Sequence, residues 1–226
     1  GHENFSAALR KPWRKFRLGL PRTHFWEKLD REARLLTEAA VRDLQKHGAT
    51  LSEVTLSSMT SANEFAAQIA VAEARYYHES AGYFPSRRGE YGKDVRQHLD
   101  DGGNVRAVDY LAARKAQERV RAEFDAVLSG VDALVIPTTP FPAPLVDAER
   151  VNIEGEEIRV RAGLVGMNRP ANFTGHPAIS IPCGFTHTGL PVGLELIGRA
   201  FDEATLLRIA LVYERIHDWR ARHPEL

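Results

Sequence analysis

Residues 16–56 read FRLGLPRTHFWEKLDREARLLTEAAVRDLQKHGATLSEVTL. Phe16 to Leu20 is a short apolar-rich run closed by Pro21, which suits a strand. Behind it Asp30 is placed to cap a helix, and Leu29, Ala33, Leu36, Ala40 and Leu44 recur at helical spacing along one face. Lys46 and His47 fall in the last turn, where positive charge suits the helix dipole, and Gly48 can take the left-handed conformation that ends it. Thr50 to Leu56 reads as a second strand. Strand, helix and strand with short links predict a parallel crossover unit.

The same alternation continues outward. An alanine-rich helix is expected over Ser61 to Ser80, with Phe65, Ile69 and Ala72 on its apolar side. A Gly- and charge-rich stretch, Gly82 to Gly103, leaves room for a short helix around Val95 to Leu99. A long helix follows from about Val105 to Leu128, with Ala113, Val120, Phe124 and Val127 inward and Gly130 at its end. Ala133 to Ile136 is continuously apolar, as a strand covered on both faces would be. Prolines at 137, 140, 142 and 144 then force a rigid extended loop off the strand's C-terminal end, because proline lacks the N–H a ladder needs. Val151 to Val160 predicts a hairpin turning at Glu154-Gly155. Ala178 to Pro182 and Val192 to Ile197 predict two more strands, and Asp202 opens a final helix with Leu206, Ala210, Tyr213 and Ile216 or His217 inward. Strands interleaved with helices predict an α/β fold, layered α/β/α around a mixed sheet. No linker or repeat divides the chain, so one domain over 1–226 is expected.

The composition excludes several classes. Of 226 residues 43% are hydrophobic and 27% charged, as in ordinary globular proteins, which argues against disorder. Thirty basic and thirty acidic side chains cancel, so no global field favours nucleic acid or an anionic membrane. The basic residues Arg10, Lys11, Arg14, Lys15 and Arg17 are interrupted by Pro12, Trp13 and Phe16 and read as a solvated entry segment. A single cysteine, Cys183, rules out an internal disulfide and a cysteine-based zinc cluster and is compatible with a cytoplasmic setting. No signal peptide and no uncharged apolar run of about 20 residues is evident, so no membrane span is expected. Gly1-His2 in place of a starting Met fits a chain cut from a longer one.

One block is more specific. Residues 172–184, NFTGHPAISIPCG, followed by 189–198, GLPVGLELIG, and by Phe201-Asp202-Glu203, resemble the closing signature of the amidase-signature family. Residues 132–140, DALVIPTTP, resemble that family's strand-to-proline loop, and the opening FRLGLP and HGA segments resemble the region just after its catalytic core. The likeness spans nearly the whole chain and places it as the C-terminal portion of such a domain. It implies hydrolysis of a carboxamide C–N bond by a Ser–cis-Ser–Lys triad, in which a neutral lysine draws a proton through the bridging serine from the nucleophile and main-chain amides of a Gly-Ser-rich loop hold the oxyanion.

That Gly-Ser-rich segment and its lysine have no counterpart here. Ser57-Ser58 lead into Met59-Thr60, Ser86 precedes Arg87-Arg88, and Lys93 and Lys115 lack the family context. No catalytic residue is therefore assigned, and the chain alone is expected to be inactive. The resemblance does imply a substrate pocket in this half. Where the amidotransferase branch of the family holds glutamine with an arginine and an aspartate, alignment places His98 and Val165, which disfavours glutamine and points to a less polar amide or a urea-type compound. Thr138 and Thr139 stand at a strand end, where α/β sites gather, and Asn172 stands beside the signature.

Each of these residues has a plainer reading. His98 reads equally as a half-exposed helix histidine, Asn172 as a loop cap, and the threonines as donors within the proline loop. Cys183 and His176 lie seven residues apart across a strand with no evident acid to orient the histidine, so a buried structural cysteine is expected rather than a nucleophile. Glu195, where the family often has Gln, is expected to face solvent or an arginine such as Arg199. The histidines, His217 and His223 among them, show no zinc spacing, and neither metal nor cofactor is expected. Two other classes stay open, a non-catalytic binding module that works with a separate catalytic chain and an amidotransferase glutaminase. The expected partner is a small-molecule amide. An apolar face or open sheet edge left by a missing half would favour a homodimer.

Overall fold

The computed structural model describes residues 4–10 and 15–222. After one helical turn, α1 (Phe5–Ala8), come β1 (Arg17–Pro21) and a kinked turn α2 (Arg22–Phe25), in which His24 takes a φ of 72°. Helix α3 (Arg31–Lys46) leads to β2 (Thr50–Val54), which pairs with β1 in parallel, Leu18 opposite Leu51. This is the predicted crossover unit. The Asp30 carboxylate accepts the N–H groups of Glu32 at 2.9 Å and Ala33 at 3.1 Å, satisfying two donors that the first turn leaves orphaned. Leu29, Ala33, Ala40 and Leu44 are all buried, as their spacing requires.

Three helices follow, α4 (Met59–Ser80), α5 (Lys93–Gly103) and α6 (Ala107–Gly130). They lead into β3 (Ala133–Pro137), the hairpin β4 (Arg150–Ile153) and β5 (Glu156–Arg159), α7 (Val160–Thr174), β6 (Ala178–Phe185), β7 (Pro191–Ile197) and α8 (Glu203–Ile216). The hairpin turns at Glu154 and Gly155, both with positive φ (53° and 91°), the backbone a tight two-residue turn needs. Asp202 precedes α8 but does not cap it, because its carboxylate binds Arg199 Nη1 at 3.3 Å instead.

Five strands form one sheet in the order β2-β1-β3-β7-β6. The β1 pairings are parallel, whereas β3–β7 and β6–β7 are antiparallel, so the sheet is mixed as expected. Helix α3 packs across β3, β6 and β7, α8 packs on β6, and α4 gathers α5, α6 and α7 around itself. Ala133, Leu134, Val135 and Ile136 are fully buried, which shows that β3 is covered on both faces. One apolar core joins Leu18, Phe124, Leu134 and Leu196. Burial of a side chain of this size contributes about 1.5–3 kcal/mol.

Helix α7 has no counterpart in the sequence reading, and the reason is local. Gly163 and Gly166 lower helix propensity, and Pro170 lies inside the helix with no N–H to give the Gly166 carbonyl one turn back. That carbonyl is met from outside by Asn63 Nδ2 of α4 at 3.3 Å. The helix ends on Gly175, whose φ of 75° is the left-handed stop. Of the basic entry segment, Lys11 and Arg14 lie outside the described residues, as does His223, while Arg17 pairs with Asp132 at 3.0 Å. Among the described residues no helix is long and apolar enough to cross a membrane.

Candidate functional site

The five residues singled out from sequence fall into two adjoining grooves. The first, about 470 Å³, opens at the C-terminal end of β3 and holds Thr138, Thr139, Ser180 and Gly193. Here Thr138 N–H continues the ladder to Gly193 O at 3.0 Å. The hydroxyls of Thr138 and Ser180 meet at 2.7 Å across β7. They can do so only because position 193 lacks a side chain: a Cβ there would stand 2.6 Å from Thr138 Oγ1 and 2.8 Å from Ser180 Oγ. Thr139 instead donates to Phe141 O at 2.9 Å, the plainer of its two readings.

The second groove, about 620 Å³, is walled by α4, α5, α6 and α7 and holds His98, Val165 and Asn172 together. Leu164 borders both grooves, and Asn168 ties them by donating to Thr138 O at 3.2 Å. Thr138 thus lines the first groove, and His98 and Asn172 line the second. The Asn172 amide caps nothing: it is exposed and makes no hydrogen bond among the described residues.

His98 sits on α5, where Arg161 Nη2 approaches its Nδ1 at 3.2 Å. A guanidinium can only donate, so Nδ1 accepts and the proton of the neutral ring lies on Nε2. Burial, then the charge of Arg161, hold the His98 pKa below the ordinary histidine value against the opposing charge of Asp101, which favours the neutral ring. Arg169 is also held below its ordinary value, by burial and by Arg161. Its Nη1 donates to Asn63 O at 3.1 Å. Arg161, Arg169 and Asn168 escaped the sequence reading. Positions 161, 165, 168, 169 and 172 share one helical face, but that signal is readable only once α7 is known to be a helix.

Other chemistry-bearing groups are occupied. Ser57 donates its hydroxyl to Glu123 at 2.6 Å, and Ser58 donates to the other oxygen of the same carboxylate, which also takes both main-chain N–H groups at the start of α4. These hydrogen bonds hold the Glu123 pKa below its usual value against the opposing effect of burial. Among the described residues no hydrogen bond joins a serine to a lysine: Ser61, Ser80, Ser86 and Ser129 donate to main-chain carbonyls. Cys183 is buried, and burial pushes its thiol up to about 12, which removes the thiolate a nucleophile needs.

Two expectations are corrected. The sequence showed no acid near His176, yet α6 brings Asp125 to 3.1 Å from His176 Nε2, while Nδ1 lies 2.9 Å from Thr174 Oγ1. Thr174 and His176 are buried, so this chain of contacts joins α6 to the end of α7 rather than facing a groove. Glu195 faces neither solvent nor Arg199. It is 3% exposed with Oε2 unpartnered, and Arg199 binds Asp132 at 3.1 Å and the main-chain oxygen of Leu128 at 2.9 Å. Among the described residues no group of three or more potential ligands could hold a metal ion.

A family model described as Amidase matches residues 2–207. The glutamyl-tRNA(Gln) amidotransferase A-subunit of Myxococcus xanthus is 35% identical over 248 residues, covering 99% of this chain and 49% of that protein. A Pseudomonas putida protein named amidase is 32% identical over 219 residues, covering 93% of this chain and 45% of its own length. Among solved structures, a crystal structure of an amidase superposes with a TM-score of 0.84 at 26% identity, over 91% of this chain and 46% of that one. The chain thus spans about half the length of the curated relatives it matches.

Proposed function

This chain belongs to the amidase family, and from that premise we propose that it is the C-terminal, pocket-forming portion of a hydrolase that cleaves a carboxamide C–N bond. In this reading the Ser–cis-Ser–Lys triad stands outside residues 1–226, and this chain contributes the walls that hold a small amide in place. The nucleophilic serine of the other portion would attack the carbonyl, ammonia or an amine would leave, and water would release the acid from the acyl-serine. A cytoplasmic setting goes with this reading.

The observation that carries it is where the hydroxyls go. Ser57 and Ser58, the one adjacent serine pair, are spent on Glu123, and the Ser180 hydroxyl meets Thr138. Among the described residues none has the lysine that would activate it. A serine-directed fluorophosphonate tests this on the chain as it stands. No covalent adduct is expected on any serine by mass spectrometry, and a stoichiometric adduct would contradict the assignment.

A glutaminase role, as the name of the Myxococcus xanthus relative suggests, is the second reading. Val165 counts against it, since a glutamine's ammonium would lose its counter-charge at that position.

A further inference from the structure

The groove between α5 and α7 has an electrostatic imbalance that the family reading alone does not account for. Arg161 and Arg169 both line it, and neither has a carboxylate partner among the described residues. The neighbouring acids are committed or unpaired with them. Glu73 accepts Tyr110 Oη at 2.9 Å and lies 3.7 Å from Arg114. Asp101 accepts Gln97 Nε2 at 2.8 Å. Asp94 borders the adjoining groove with Arg161, but no ion pair joins them. Two guanidiniums that repel each other across a partly desolvated groove cost free energy, and a bound anion would offset that cost. His98 lines the same groove and, with Nδ1 taken by Arg161, carries its proton on Nε2, while the exposed Asn172 amide makes no hydrogen bond among the described residues.

We propose that this groove binds the carboxylate of the substrate through Arg161, Arg169 and His98 Nε2–H, and that Val165 selects against an ammonium group beside it. The expected substrate class is an amide carrying a carboxylate but no α-ammonium. This rests on the amidase reading and names the substrate class for its pocket. It also replaces the expectation of a less polar amide, which took His98 and Val165 without the two arginines that α7 brings beside them.

The test follows the Nε–Hε resonances of Arg161 and Arg169 by NMR at constant ionic strength. Three probes are added to the chain: succinamate (carboxylate and amide), succinamide (amide without charge) and glutamine (carboxylate with α-ammonium). Succinamate should shift both resonances saturably, with affinity at least about tenfold above the other two. Arg161→Gln, at an exposed position, should weaken succinamate about tenfold, and Arg161→Glu should abolish it. Equal binding of succinamide, or unchanged affinity in Arg161→Gln, would overturn the proposal. Carboxylate binding that persists while a protein extended to the length of its relatives cleaves no amide would support the anion site and reject the hydrolase reading. Amide cleavage without carboxylate binding would do the reverse.

Discussion

Glu195 lies in β7 opposite Ile136 of β3 and Ser180 of β6, sealed from solvent with one oxygen unpartnered. Burial pushes its carboxyl from the usual 4.5 up to about 7. Between those two values the folded chain keeps a proton that the unfolded chain has released. The stability so contributed is full below pH 4.5 and is lost as pH rises through about 7, and it amounts to about 3 kcal/mol. Glu195→Gln keeps the shape and removes the charge. It should leave stability at pH 5 nearly unchanged and raise it at pH 8 by about 2–3 kcal/mol in urea unfolding. A loss at pH 8 would contradict this account. The sequence predicts the strand that carries Glu195, but alternation along a strand does not say which face is covered. That depends on Ile136, nearly sixty residues earlier, arriving alongside.

At the scale of elements, legibility followed local chemistry. The capped, amphipathic α3 and the continuously apolar β3 were readable because cap, stripe and length all agreed. Helix α7 was not, because its stability is supplied from elsewhere: Pro170 deprives the Gly166 carbonyl, and only the fold brings Asn63 to meet it. Asn63 also holds Arg169 through its main-chain oxygen, so it links α4 to the arginine face of the groove. Asn63→Ala should therefore remove one of the donors that reach this carbonyl, His24 being the other, and lower stability by about 0.5–1.5 kcal/mol. Amide exchange should quicken in α7 before it does in α3. Equal protection of both helices in the variant would show that Asn63 does not support α7. The same hidden helix explains the partial legibility of the site: His98, Val165 and Asn172 came from motif likeness and do meet in one groove, whereas Arg161 and Arg169 needed the helix to be seen.

At the scale of the molecule, the chain spans about half the length of the curated relatives it matches. Its sheet ends on β6, whose outward residues Ala178, Ser180 and Pro182 are exposed. Leu145, Val146 and Phe201 are also bare, at 86%, 92% and 88% exposure. An open edge and exposed apolar groups favour self-association, so sedimentation velocity should show a concentration-dependent dimer or larger species. A compact monomer at high concentration would count against a face meant for covering. The proposed division of labour between two halves is tested most directly by ammonia release from a panel of carboxamides. The purified chain should release none above the buffer rate, and a protein extended upstream to the length of its relatives should release ammonia steadily until its own added serine is replaced by alanine. Sustained release by the 226-residue chain, undiminished by Cys183→Ser, would contradict the account.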